Sequence, residues 1–167
     1  MKTMDKSELF LSVINANKGI IYKVANSYCK NSESRNDLVQ EIIIQLWKSF
    51  ENYNEAYEHS TWMYRISLNV AISFYRKSKK EIATLLTDNI IALVIDDEPG
   101  ELEENVQLLY QFINELDELN KALMLLYLDN KTHKEMAEVL GITETNVATK
   151  IGRIKEKLKI KFSLLNG

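Results

Sequence analysis

One proline and five glycines are spread over 167 residues, too few backbone breakers for a chain built of short strands and tight turns. Cys29 is the single cysteine, so no internal disulfide can form. Only two histidines, His59 and His133, are present, and they lie far apart in sequence without a cysteine pair beside them, which leaves no metal-ligand cluster. Glycine-rich phosphate loops and nucleophile–base pairs are also missing, which argues against an enzyme and against a bound cofactor. No apolar run approaches the roughly 18 residues that a membrane span needs. The opening MKTMDKSELF lacks the apolar core of a signal peptide, so the expectation is a cytoplasmic protein with no membrane insertion.

What is present is hydrophobic content of 46%, enough for packed cores, and a net charge of −3. That sum hides a partition. Ser60 to Lys80 holds Arg65, Arg76, Lys77, Lys79 and Lys80 and no acid. Glu81 to Asn105 holds Glu81, Asp88, Asp96, Asp97, Glu98, Glu101, Glu103 and Glu104 and no base. Thr143 to Phe162 has six bases against Glu144 and Glu156. Two basic segments divided by an acidic one are compatible with nucleic acid, because a binding face is set by local charge rather than by the total.

Helical periodicity runs along most of the chain. Leu9, Phe10, Val13, Ile14, Asn17, Ile20, Ile21, Val24 and Tyr28 trace one helix, and Cys29 follows them as a buried, inert thiol. Asn31 to Asn36 reads as a break, with a second helix starting near Asp37 and facing inward through Leu38, Ile42, Leu46 and Phe50. Glu51 to His59 reads as a loop. Ser60 or Thr61 then caps a third helix running to about Lys79, with Met63, Ile66, Val70 and Phe74 inward. Residues 81–101 form an acidic linker with an apolar stretch, Leu85 to Ile95, and a break at Pro99-Gly100. Helices from Leu102 to Glu115 and from Glu118 to Leu128 follow. The fold class is all-α: two small helical domains, residues 1–80 and 102–167, joined by residues 81–101.

The last segment is the most telling. In KTHKEMAEVLGITETNVATKIGRIKEKL, Met136, Ala137 and Leu140 fall at helical spacing, Gly141 permits a sharp turn, and Thr143 can cap a new helix. Val147, Ile151, Ile154 and Leu158 make its apolar stripe. Thr145, Asn146, Thr149, Lys150 and Arg153 lie on the other face, side chains of the kind that reach base edges and phosphates. The segment reads as a helix-turn-helix with a basic second helix.

Three blocks in order, DLVQEIIIQLWKSF from Asp37, STWMYRISLNVAISFYRK from Ser60 and LDELNKALMLLYLDNKTHKEMAEVLGITETNVATKIGRIKEKL from Leu116, resemble the extracytoplasmic-function (ECF) sigma factors of bacterial RNA polymerase. The resemblance implies a factor without catalytic activity that binds core polymerase, recognises promoter DNA and promotes initiation. It implies that Asp37, Leu38, Gln40, Glu41, Gln45 and Trp47 dock on the clamp coiled coil. It implies that Trp62, Arg65, Asn69, Arg76 and Lys77 meet the downstream promoter element, with Trp62 and Tyr64 suited to stacking on an unpaired base. The loop before that helix is where family members trap a flipped-out base, with Asn54 and His59 as candidates here. Its Glu55 and Glu58 depart from the family's basic character. Thr145, Asn146, Thr149, Lys150 and Arg153 are implied to read the upstream element, while the same domain docks on the polymerase flap. Ala148 stands where a base is usual, and Gly152 costs roughly 1 kcal/mol inside a helix, so upstream binding is expected to be weak. The acidic linker fits the family's passage through the polymerase interior. An anti-sigma factor or another recruiting protein is a further expected partner. The alternative is a stand-alone helix-turn-helix regulator with a two-fold-symmetric operator.

Overall fold

The computed structural model of the chain describes residues 5–53, 55–82 and 104–165. The expected acidic linker, with its Leu85 to Ile95 stretch and Pro99-Gly100 break, lies almost wholly outside the described residues, as does Asn54. Among the described residues there are seven α-helices and no strand. They are α1 (Lys6–Tyr28), α2 (Ser32–Ser49), α3 (His59–Ile82), α4 (Glu104–Glu115), α5 (Glu118–Leu128), α6 (His133–Leu140) and α7 (Glu144–Leu165). A 3-10 turn, Phe50–Asn52, follows α2. The chain divides into two compact units, Met1–Thr84 and Leu85–Gly167.

In the first unit α1, α2 and α3 all pack on one another. Ile21, Val24, Leu38, Ile42, Leu46, Met63, Tyr64 and Leu68 form its core, each less than 2% exposed. Asp5 caps α1 by accepting the Glu8 N–H at 2.8 Å. Asn17 interrupts the helix with φ −127° and ψ 17°, and its Nδ2 donates to the Val13 carbonyl at 3.0 Å. The kink restores hydrogen bonding through the side chain instead of leaving a carbonyl open.

Helix α2 begins at Ser32, five residues before the Asp37 start expected from sequence. Of the polar run, only Asn31 is used as a cap, accepting the Ser34 N–H at 2.7 Å. The residues after it form exposed first turns, where short polar side chains carry little penalty.

The inner face of α3 is also shifted from expectation. Thr61, Met63, Tyr64, Ser67, Leu68 and Ala71 are buried, whereas Ile66, Val70 and Phe74 are half-buried. Two helices pack on α3, so the buried arc is wide and centred on Tyr64, Ser67 and Ala71. The small side chains at 67 and 71 suit close helix contact.

In the second unit α5 is enclosed on nearly every side, with residues 121–126 all buried. The helix-turn-helix has firm ends. Thr132 Oγ1 accepts the Glu135 N–H at 3.1 Å while Glu135 Oε1 accepts the Thr132 N–H at 3.3 Å, a reciprocal capping box. Gly141 ends α6 at φ 69°, a left-handed conformation that glycine adopts without a Cβ penalty. Thr143 Oγ1 accepts the Asn146 N–H at 3.0 Å and starts α7. Met136 and Val139 carry α6 into the core, Val139 where Leu140 was expected. Val147, Ile151 and Ile154 of α7 are buried and Leu158 is half-buried.

Candidate nucleic-acid interface

The outer face of α2 is defined by what its core residues leave over. Leu38, Ile42 and Leu46 are each 0% exposed. Leu38 therefore belongs to the core, and its side chain is unavailable for the docking role that the sequence blocks imply. Asp37, Gln40 and Glu41 are exposed on the opposite side, around Ile44 (46% exposed) and Trp47 (38%). Ile44 escaped the sequence reading because it ends a run of three isoleucines. At 100° per residue only Ile42 of the three points fully inward. Gln45 is half-buried, and its Nε2 donates to Glu41 Oε1 at 3.1 Å. The result is an apolar centre with an acidic and amide rim.

Trp47 is held from behind. Its ring meets Phe10 edge-on at 5.0 Å, and the Lys6 ammonium stands 4.6 Å above it. Lys6 also pairs with Glu51 at 2.5 Å. That hydrogen bond, and then the charge of Lys6, lowers the Glu51 carboxyl below its ordinary value.

On α3 the residues opposite the core are Trp62, Arg65, Asn69, Ser73 and Arg76, spaced three, four, four and three apart, so they fall in one stripe. Arg65, Asn69, Ser73, Arg76 and Lys77 are exposed; Ser73 is a polar member that sequence reasoning missed. Tyr64 is 0% exposed and packs in the core, so it has no face for a base. Trp62 is half-buried, with Phe50 at 6.0 Å and Tyr53 at 5.2 Å between ring centres.

The segment before α3 is tied down by Tyr53. Its ring lies 5.0 Å from His59, and its hydroxyl donates to the Tyr57 carbonyl. Burial, followed by the charges of Glu55 and Glu58, raises the Tyr53 phenol above its ordinary value. His59 and Tyr57 are exposed at this corner.

On α7, Thr145, Asn146, Thr149 and Arg153 are exposed and Lys150 is half-buried. The Thr149 hydroxyl donates to the Thr145 carbonyl at 3.0 Å, which leaves it an acceptor toward the outside. Ala148 and Gly152 are exposed beside this face. The C-terminal half of α7 changes character. Ile160 and Leu164, with Phe112 and Leu116, line an open groove of about 390 Å³ whose rim carries Lys157, Lys161 and Glu115. Lys161 pairs with Glu115 across it. The periodicity of the apolar stripe 147–158 gave no sign of this second apolar patch, which starts beyond it.

No group of three metal-ligating side chains occurs among the described residues, and no described helix is long and apolar enough to cross a membrane.

Family comparisons agree with the two-unit construction. The Sigma-70 region 2 model matches residues 13–81, and the Sigma-70, region 4 model matches residues 107–158. The ECF RNA polymerase sigma factor SigM of Bacillus subtilis (strain 168) is 25% identical over 147 residues, covering 86% of this chain and 88% of that protein. The RNA polymerase sigma factor SigV of the same organism is 26% identical over 163 residues, covering 97% and 96%. In fold, the chain is similar to the sigma factor RpoE solved with the anti-sigma factor NepR from Bartonella quintana. The TM-score is 0.64 at 16% identity, with 94% of this chain and 96% of that one covered. With both sigma regions matched in order over most of its length, and sigma factors aligned along nearly all of it, the chain belongs to the extracytoplasmic-function sigma factors of bacterial RNA polymerase.

Proposed function

We propose that the four surfaces divide the work of initiation, with no catalytic step performed by this chain. The rim of Asp37, Gln40, Glu41 and Gln45 around Ile44 and Trp47 docks on the clamp coiled coil of core polymerase. The α3 stripe meets the downstream promoter element: Arg65, Arg76 and Lys77 hold phosphates, and Asn69 offers the two-point contact that suits adenine. Trp62 supports the start of α3 from within the ring cluster. Thr145, Asn146, Thr149, Lys150 and Arg153 enter the groove of the upstream element. The apolar groove between α4 and the end of α7 receives the polymerase flap, its lysines favouring an acidic rim on the partner. Such a factor acts in the cytoplasm, and an anti-sigma factor covering the same faces would hold it inactive.

The observation that carries this reading is the presence of two different exposed faces on one three-helix unit. An apolar, acid-rimmed face of α2 and a cationic stripe of α3 lie on separate helices of a common core. A protein that bridges an enzyme to DNA needs this separation.

The test is a pull-down of purified bacterial core RNA polymerase by this protein, followed by transcription from a pool of random promoters. Stoichiometric binding with a shared start-site motif in the transcripts is the expected result. Binding without transcripts would mean that promoter reading is lost or needs a recruiting protein. No binding, with direct affinity for a two-fold-symmetric operator, would overturn the reading in favour of a stand-alone regulator.

A further inference from the structure

Helix α7 presents one side chain straight away from its core. Thr149 lies two residues from Val147 and two from Ile151, which are 0% and 2% exposed, so at 100° per residue it points opposite to both. It is exposed, with Thr145 about one turn before it and Arg153 about one turn after it on the same face. Ala148 and Gly152 beside it are exposed and short, and a Cβ at position 152 would meet nothing within 4 Å. Neither of them is long enough to hold a base edge away from the Thr149 hydroxyl. The start of the helix is fixed by Thr143, whose Oγ1 accepts the Asn146 N–H at 3.0 Å.

The hydroxyl itself has a set direction. It donates to the Thr145 carbonyl at 3.0 Å, so its one proton is committed and its lone pairs are left for an outside donor. Its neighbours on the face differ: Lys150 and Arg153 only donate, and the Asn146 amide does both. In the major groove each base pair shows one amino donor, N6 of adenine or N4 of cytosine, while guanine and thymine show a carbonyl oxygen. An acceptor without a free proton therefore sorts adenine and cytosine from guanine and thymine on the strand it faces, rather than A·T pairs from G·C pairs.

We propose that Thr149 is a specificity-determining residue: its hydroxyl oxygen accepts from the exocyclic amino group of an adenine or cytosine in the upstream element. The inference rests on the reading of α7 as the helix that enters that groove. A guanine or thymine in the same place sets two oxygens face to face, or makes the hydroxyl release the Thr145 carbonyl. Either way one hydrogen bond is missing, which corresponds to a preference of about fivefold.

The experiment assembles core polymerase with the wild-type chain, with Thr149→Ser and with Thr149→Val, and reads from a transcribed barcode which random promoters each one uses. Serine keeps the hydroxyl; valine keeps the branched shape and removes it. With the wild-type chain and Thr149→Ser, one upstream position is expected to favour adenine and cytosine over guanine and thymine about fivefold. With Thr149→Val that split disappears. A selected promoter is then rebuilt with adenine at the position. In one version purine, which lacks the amino group, replaces the adenine. In the other, 5-methyl-2-pyrimidinone, which lacks the O4 carbonyl, replaces the opposite thymine. The first replacement is expected to weaken binding of the wild-type holoenzyme about fivefold and to leave that of Thr149→Val unchanged; the second leaves both unchanged. Thr149→Ala serves in place of Thr149→Val if the latter lacks a cooperative thermal transition.

A split that survives removal of the hydroxyl would overturn the inference. A split lost in Thr149→Ser would assign it to the methyl group and overturn the inference as well. Weakened wild-type binding on loss of the thymine carbonyl, with none on loss of the adenine amino group, would make the hydroxyl a donor and reverse the proposed chemistry. Wild-type promoters that share no upstream motif would refute the reading of α7 itself, whereas a motif indifferent to Thr149 would refute this inference alone.

Discussion

Ser67 lies in the core with 0% exposure, and its hydroxyl oxygen has no hydrogen-bond partner. A buried hydroxyl without a partner loses its water and gains nothing in return. Ser67→Ala removes that loss, keeps the volume that α1 and α2 pack against, and adds helix propensity. It is expected to stabilise the first unit by about 1 kcal/mol, read from the midpoint of urea unfolding. A lower midpoint would mean that the hydroxyl holds a partner in solution. Lys6 and Glu51 give a second expectation, in pH. The lowered Glu51 carboxyl means that the tie to Lys6 is fully present above the ordinary glutamate value of 4.5 and is lost as pH falls through the folded-state value below it. Carbon-detected titration of Glu51 should show a depressed midpoint that returns to ordinary in Lys6→Gln; an unchanged midpoint would remove Lys6 as the cause. Little of this was legible in the sequence. Lys6 and Glu51 are 45 positions apart, and neither falls in a motif. The burial of Leu38 follows from its spacing to Ile42 and Leu46, which the sequence did display, yet block resemblance grouped it with the exposed side of the same helix.

At the scale of elements, period and caps carried different amounts of information. The helices at Glu118–Leu128 and after Thr143 lie where the apolar spacing puts them, because strong periodicity and a local cap agree there. The start of α2 was hidden because Asn and Ser favour caps and turns as well as exposed first turns, and only the three-dimensional bond from Asn31 to Ser34 decides. The face of α3 was hidden for another reason: a helix covered by two neighbours has no single apolar stripe. Its outward stripe of Arg65, Asn69 and Arg76 was legible nonetheless, since cations avoid burial wherever the core lies. Gly152 tests the cost of a local rule broken in α7. A Cβ there meets nothing within 4 Å, and the position is exposed in mid-helix. Gly152→Ala should therefore raise the stability of the second unit by about 1 kcal/mol. Thermal denaturation followed by circular dichroism would show it, and a lowered transition would mean that the helix needs the glycine's freedom at that point.

For the whole molecule, the question is whether polymerase docking and promoter reading are separable, as two faces on one core require. Glu41 sits on the rim of the α2 face, exposed and bonded only to Gln45 among the contacts that shape that rim. Reversing its charge leaves the core untouched, and the surface bond lost with Gln45 is worth a few tenths of a kcal/mol. Against a partner surface complementary to acids, the same reversal turns attraction into repulsion, so Glu41→Lys should weaken core-polymerase binding about tenfold or more with an unchanged melting temperature. Arg65→Ala with Asn69→Ala acts on the α3 stripe instead. An amide that reads one base is worth about 1–3 kcal/mol of discrimination, and the guanidinium adds a salt-dependent phosphate contact. That double variant should keep polymerase affinity and lose promoter opening, measured by permanganate reactivity of unpaired thymines at the start site. If Glu41→Lys binds polymerase as the wild-type chain does, the α2 face is not the docking face. If Arg65→Ala with Asn69→Ala loses both activities while its thermal transition is intact, the two faces do not act separately. The clean split, one variant failing in each assay, is the outcome expected if polymerase takes the α2 face and DNA the α3 stripe.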